Sequence, residues 1–253
     1  MKLNTSFKKF KQLHKKKYSQ AVHLSYKCNN YAFIENLYKF ILVQKNSFIF
    51  ESVEKGKIRG RYTIIGFNPD KIFNIKKNVI VEDNLKKNKI INKNILKYLN
   101  NLFKNFKVKS SKELPRMSSM LVGYFSYDII RLIENIPNKC KDDLNIPDIR
   151  LMRPKNLIIY DNVKRKIFYI ENIYNDQKIF DYQSEYEKIK NTLNELHNYG
   201  NIPLPENFHI NNKKINIKSN ISKSKFKNIV RKAKTYIKKG DIFQVVLSQR
   251  FSA

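Results

Sequence analysis

The side chains with the sharpest chemical meaning lie in Gly240-Asp241-Ile242-Phe243-Gln244-Val245-Val246-Leu247-Ser248-Gln249-Arg250-Phe251. The stretch reads as a helix end followed by a strand carrying two glutamines and an arginine. In a regular strand Ile242, Gln244, Val246 and Ser248 face one way, and Phe243, Val245, Leu247 and Gln249 the other. A carboxamide takes up no proton near neutral pH, so Gln244 can orient a reactant but cannot serve as a general base. Gln249 also fits a buried amide satisfied by backbone. Other candidates carry less. Asp128 and Arg131 stand three apart, the spacing of a helix cap with an ion pair. Asp142-Asp143, just before Pro147-Asp148, is turn chemistry. His14, His23, His197 and His209 have no Ser, Cys or Glu at triad or zinc spacing, and Cys28 and Cys140 form no CxxC. With six glycines and neither GxGxxG nor GxxxxGK, a Rossmann or P-loop site is excluded.

Composition sets the frame for these groups. The 253 residues suffice for one large or two small domains with a real core, and the hydrophobic fraction of 42% supports a packed interior. A net charge of +30 invites a nucleic-acid reading. Only nine of the 51 basic residues are arginine, however, and base readout leans on the arginine fork. The lysines spread evenly among Asn and Ile, three residue types with A/T-rich codons. Genome base composition therefore explains the charge better, and no nucleic-acid partner is expected. Two isolated cysteines fit a reducing cytoplasm. No signal peptide and no membrane-spanning stretch is read, so no membrane partner is expected.

The elements that must position these residues follow from periodicity. Helices are expected over Phe7–Tyr18, Tyr31–Val43, Ile91–Phe106 and from Tyr182 to Leu196. Ala21–Tyr26, Met120–Tyr127 and the pair Leu157–Tyr160/Ile167–Ile170 read as strands. So do Phe48–Phe50 and Tyr62–Ile65, joined through the turn signal Glu54-Lys55-Gly56-Lys57, and Lys71–Ile75 followed by Val79–Val81. His197–Asn220 has no apolar period and is the expected linker. A helix then runs from Ser222 or Ser224 to Gly240. The order implies an α+β fold: an antiparallel, β-rich, sandwich-like domain with flanking helices over residues 1–196, a linker over 197–221, and the first helix and strand of a second α+β domain over 222–253.

Three blocks in sequence carry a family resemblance. They are Phe48 to Gly66, containing Phe50-Glu51-Ser52 and Arg59-Gly60-Arg61-Tyr62; Gly123-Tyr-Phe-Ser-Tyr-Asp-Ile-Ile-Arg131 with its continuation to Asp148; and the final stretch with its preceding helix. In order and spacing they resemble component I of anthranilate synthase, among the chorismate-utilising enzymes. The resemblance implies conversion of chorismate and ammonia to anthranilate and pyruvate, on the route to tryptophan, with ammonia delivered from glutamine by a glutamine amidotransferase subunit (component II). It also implies feedback inhibition by tryptophan. The stretch Phe50-Glu51-Ser52 would border the inhibitor pocket, Ser52 as the first side-chain contact, Glu51 next, and Arg61 as a source of positive charge across the hairpin. Adjacent strand residues point to opposite faces, so Glu51 and Ser52 enter one pocket only through a bulge or a backbone contact.

At the position of Gln244, water-adding relatives carry a lysine base. A glutamine there points to ammonia as nucleophile, which makes Gln244 the candidate catalytic residue. Magnesium is implied for the whole enzyme, with its acidic ligands outside these 253 residues and no metal ligand within them. The chain is therefore expected to be the front part of a longer enzyme and inactive alone. Component I of aminodeoxychorismate synthase, which shares the fold and the substrate but forms a different product, is the nearest enzyme alternative, and a basic nucleic-acid-binding protein is the alternative of another class.

Overall fold

The computed structural model describes residues 3–29, 31–51, 60–77, 79–83, 88–91, 94–139, 142–200 and 216–252. It separates into two units, Met1–Pro203 and Leu204–Ala253. In the first unit α1 (Phe7–Lys15), β1 (Ser19–Lys27), α2 (Tyr31–Leu42), β2 (Phe48–Phe50), β3 (Tyr62–Lys76), β4 (Val79–Asp83) and β5 (Asn88–Ile91) precede α3 (Ile95–Asn105). Then come β6 (Val108–Lys109), β7 (Val122–Phe125), β8 (Ile149–Asp161), β9 (Lys166–Ile173) and α4 (Tyr182–Gly200). They build a nine-stranded sheet in the order β5-β4-β3-β8-β9-β1-β6, with β2 added to β3 and β7 to β8. Every pairing is antiparallel except β1 with β6. The class is α+β, as the sequence implies.

Strand periodicity decides which core each residue joins. Val22, Leu24, Ile65, Ile158 and Tyr169 lie under the apolar faces of three helices: Phe10 of α1, Leu37 of α2 and Leu193 of α4. Their neighbours Ala21, Ile64, Ile159 and Phe168 face the other way, beneath Leu114, with Met117 and Met120 packed alongside. Both faces of the central strands are thus covered, which is why β8 and β9 read as near-continuous apolar runs. A third core closes the far end of the sheet, where Ile95 and Leu99 of α3 meet Phe73, Ile75, Ile80, Ile149 and Leu151.

The strands expected at Tyr62–Ile65 and Lys71–Ile75 are one strand. Register with β8 shifts between Pro69 and Lys71, so Asp70 is an extra residue in β3. Proline cannot donate to the ladder, and Pro69 faces Pro154 across the pairing, so the bulge sits where the ladder is already broken. The expected Ile91–Phe106 helix starts later, because Ile91 pairs in β5 and the Asn94 side chain accepts from the Lys97 N–H at 2.9 Å as the cap. The helix α4 continues through His197 to Gly200, into the stretch read as linker.

In the second unit β10 (Lys218–Ser219), α5 (Lys223–Lys239) and β11 (Phe251–Ser252) are present. Ser222 caps α5, and Gly240, with φ 78°, ends it. The N–H of Gly240 reaches Ile237 and that of Asp241 reaches Tyr236. The strand expected over 242–251 does not form: residues 241–250 carry no strand, and only Phe251–Ser252 pairs, with Lys218–Ser219. A strand exists only through its neighbours, and among the described residues no strand pairs with 242–249, while Arg250 bonds Asn220. The two-faced arrangement expected around Gln244 is absent with it.

Candidate functional site

Phe50 ends β2 opposite Ile64 of β3, 50% exposed, with its ring 4.8 Å from that of Phe48. Phe48 faces Gly66 across the pairing, and a Cβ at Gly66 would stand 2.1 Å from the Phe48 ring. The glycine therefore lets an aromatic ring lie on the backbone and support the exposed Phe50 edge. Glu51 follows at the surface, while Ser52 lies outside the described residues.

Arg61 precedes β3 and forks onto Asp161 at the β8–β9 turn, Nε at 3.0 Å and Nη2 at 2.7 Å. Asp161 is 2% exposed and also accepts from the N–H groups of Val163 and Lys164 at 3.1 and 3.0 Å. Burial pushes this carboxyl upward, but Arg61 and the two N–H groups prevail and hold it below the usual carboxylate range. The Arg61 charge thus has a structural partner.

Gln244 is exposed in the second unit, near Val246 and the fully exposed Phe243. The block around Gly123 positions backbone. A Cβ on Gly123 would stand 1.8 Å from the carbonyl oxygen of Arg150 on β8. Arg131 bonds Asp128 at 3.0 Å and spans the turn to the carbonyls of Ile136 and Pro137 at 2.6 and 2.9 Å. The ion pair forms as its spacing implies, while Ser126 takes the cap position. Asp142 accepts from the Asn145 N–H at 3.0 Å in the expected turn. The described histidines sit in structural settings. His14 contacts the Tyr182 hydroxyl and the Gln177 carbonyl, each at 3.1 Å, and His197 stacks on Tyr26 at 4.3 Å.

A charged centre that the sequence reading missed lies at the β3 bulge. The extra residue Asp70 accepts from Arg153 Nε at 2.8 Å and from Arg153 Nη2. The same Nη2 reaches Asp176 at 3.0 Å. Lys71 bridges Asp176 at 2.7 Å and Glu82 at 2.6 Å. The Arg153 guanidinium lies over the Tyr174 ring at 3.9 Å, and the Tyr174 hydroxyl donates to the Pro154 carbonyl at 2.9 Å. Burial favours neutral groups here, yet the pairing wins. Arg153 and Lys71 are held above their ordinary values and Asp176 below. The Tyr98 phenol, half-buried beside Glu82, is also raised, by burial first and then by the neighbouring carboxylate. Above this floor is a cavity of about 700 Å³ with Phe73, Tyr98, Leu102, Phe106 and Tyr174 in its walls. No group of three acid, His or Cys side chains suited to a metal ion occurs among the described residues, and none of their helices is long and apolar enough to cross a membrane.

The family of chorismate binding enzymes matches residues 45–253. Component 1 of anthranilate synthase from Acetivibrio thermocellus is 38% identical over 208 residues, covering 80% of this chain and 42% of that protein. The component 1 protein of Cereibacter sphaeroides is 29% identical over 256 residues, covering 98% of this chain and 51% of its own length. The crystal structure of anthranilate synthase component I from Streptococcus pneumoniae superposes with a TM-score of 0.58 at 26% identity, over 84% of this chain and 45% of that one. The chain spans about half the length of the curated relatives it matches. It belongs to the family of chorismate binding enzymes.

Proposed function

We propose that these residues form the N-terminal, tryptophan-responsive part of an anthranilate synthase component I. The observation that carries the reading is the family match over residues 45–253 together with similarity to component 1 proteins from several bacteria. The whole enzyme would add ammonia to the chorismate ring, expel the ring hydroxyl as water, and eliminate pyruvate to leave anthranilate. A glutamine amidotransferase subunit would supply the ammonia, and the complex would work in the cytoplasm. Residues 1–196 serve as the regulatory domain and 222–253 open the chorismate-binding domain.

Within this chain, Phe50, Glu51 and Ser52 would contact tryptophan. Arg61 would add positive charge through N–H groups not turned to Asp161. Gln244 takes no proton at neutral pH, which disfavours activation of water and suits ammonia as nucleophile. Magnesium belongs to the proposal for the whole enzyme. The described residues hold no acid cluster that fits it, so no step is assigned to it here.

The test has two arms. The 253-residue chain given chorismate, ammonium and magnesium should form no anthranilate. A chimaera carrying these residues in place of the matching part of the A. thermocellus protein should form it, be inhibited by tryptophan, and lose that inhibition with Ser52→Ala. Turnover by the isolated chain, aminodeoxychorismate as the product, or an active chimaera indifferent to tryptophan would overturn the corresponding part of the reading.

A further inference from the structure

We infer that the cavity above the β3 bulge binds a small organic acid, a monoanionic carboxylate on an aromatic or alicyclic ring. Its floor contains an arginine with unused hydrogen-bonding capacity. The Arg153 side chain is 9% exposed, and its Nε and Nη2 are given to Asp70 and Asp176. Nη1 has no acceptor among the described residues, and Arg153 lines the cavity. Nη1 is not sequestered but open to the cavity it lines, so an acceptor entering there replaces water and makes a charge-assisted hydrogen bond to the guanidinium.

Charge points the same way. Lys71, Lys97, Lys107 and Arg153 line the cavity against two lining carboxylates, Glu82 and Asp176. Lys97 and Lys107 make no ion pair among the described residues, and with Asp70, Asp176 and Glu82 set against Lys71 and Arg153 the four cations keep a surplus of one charge. That surplus disfavours a cation. Glu82 and Asp176 penalise a dianion such as a phosphate more than a single carboxylate. The walls then choose the body of the ligand. Phe73, Tyr98, Leu102, Phe106 and Tyr174 offer apolar and aromatic surface, and the volume suits a one- or two-ring molecule. None of Phe50, Glu51, Arg61 or Gln244 lines this cavity, so the inference stands apart from the proposed tryptophan response.

The probe is 2-naphthoate, titrated into the 253-residue chain by calorimetry and by NMR of labelled tyrosines, beside neutral 2-naphthalenemethanol and dianionic 2-naphthyl phosphate. Saturable one-to-one binding of the carboxylate is expected, with shifts at Tyr98 and Tyr174 and affinity at least about tenfold above both analogues, the scale of one charge-assisted hydrogen bond. Arg153→Lys removes Nη1 while keeping the charge and should weaken binding about tenfold. Because that change could disturb the floor, the double variant Lys97→Gln/Lys107→Gln, confined to exposed side chains, is the second arm. It should weaken binding several-fold and make it less sensitive to salt. Equal binding of the neutral analogue, no saturation at millimolar naphthoate, or shifts confined to other tyrosines would overturn the inference.

Discussion

Replacing Arg153 by methionine keeps most of the side-chain volume and removes the one cation that joins Asp70 to Asp176. Removing one partner of a buried pair costs about 3–5 kcal/mol, because the other charge is left without compensation. The structure sets where in that range the value falls. Asp176 is half-exposed and keeps Lys71 at 2.7 Å, so its loss is small. Asp70 is mostly buried and keeps Gln177 Nε2, at 3.4 Å, and the charge of Lys155, with which it makes no direct ion pair. The stack on Tyr174 is lost as well. The sum belongs near the lower end, about 3 kcal/mol. For a chain of this size that lowers the melting temperature by roughly 6–12 °C.

Urea unfolding followed by circular dichroism measures the effect, with the slope against urea unchanged if only stability moves. A cycle with Asp70→Asn isolates the pair. If the cost is an orphaned carboxylate, the double variant should be more stable than Arg153→Met alone, with a coupling of about 1–3 kcal/mol. A cost below about 1 kcal/mol for Arg153→Met, the range of a surface ion pair, would refute the reasoning. So would additive single variants.

Other outcomes follow from the same geometry. Gly123→Ala should lower stability by more than about 2 kcal/mol, since the new Cβ meets a backbone oxygen that cannot move without breaking the β7–β8 ladder; near-neutral urea curves would contradict this. Gly66→Ala should cost about 1–2 kcal/mol and regain part of it with Phe48→Leu, because the clash is with a side chain. Arg61→Met should destabilise through buried Asp161, and Arg61→Met/Asp161→Asn should recover part of the loss; a stability cost absent from Arg61→Met would free Arg61 for a purely ligand-binding role. His23 is buried, with Glu113, Lys166 and Phe168 facing it, and burial holds it below its ordinary value against the pull of Glu113. The unfolded chain then binds the proton first, so stability should fall as pH drops below about 6.5, and His23→Leu should flatten that limb of the urea midpoint against pH.

The elements legible in the sequence are those whose signal is local. The helices show apolar residues at helical spacing with a capping side chain before them, as in Asn94 for α3 and Ser222 for α5. The β8–β9 turn is announced by Asp161-Asn162 between two apolar runs. What stayed hidden depends on pairing. Asn68-Pro69-Asp70 looks like a break between two strands, because proline and two turn formers interrupt the apolar run. In the fold the same residues are a bulge, and β3 passes through it. The charged centre is hidden for the same reason. Asp70 and Arg153 are 83 residues apart, and only the β3–β8 register brings them together. A partial signal exists in Arg150-Leu151-Met152-Arg153, where charge stands beside apolar residues in a segment that joins β8.

The stretch around Gln244 marks the same boundary from the other side. Its composition is that of a strand, with Val245, Val246 and Leu247 in a row, and intrinsic preference alone would place it in a sheet. Preference supplies no hydrogen-bond partner, and each residue ordered without one gives up conformational entropy for nothing in return. The described part of the second unit lends ladder pairing to Phe251–Ser252 and a backbone bond to Arg250, so residues 242–249 carry no strand and leave Phe243 and Val246 in solvent. An exposed apolar segment with unused N–H and C=O groups is also where chains join edge to edge. Phe243→Lys with Val246→Lys should therefore reduce concentration-dependent association, measured by light scattering, and leave the melting of the nine-stranded sheet unchanged. Loss of sheet stability in that variant, or unchanged association, would refute this reasoning.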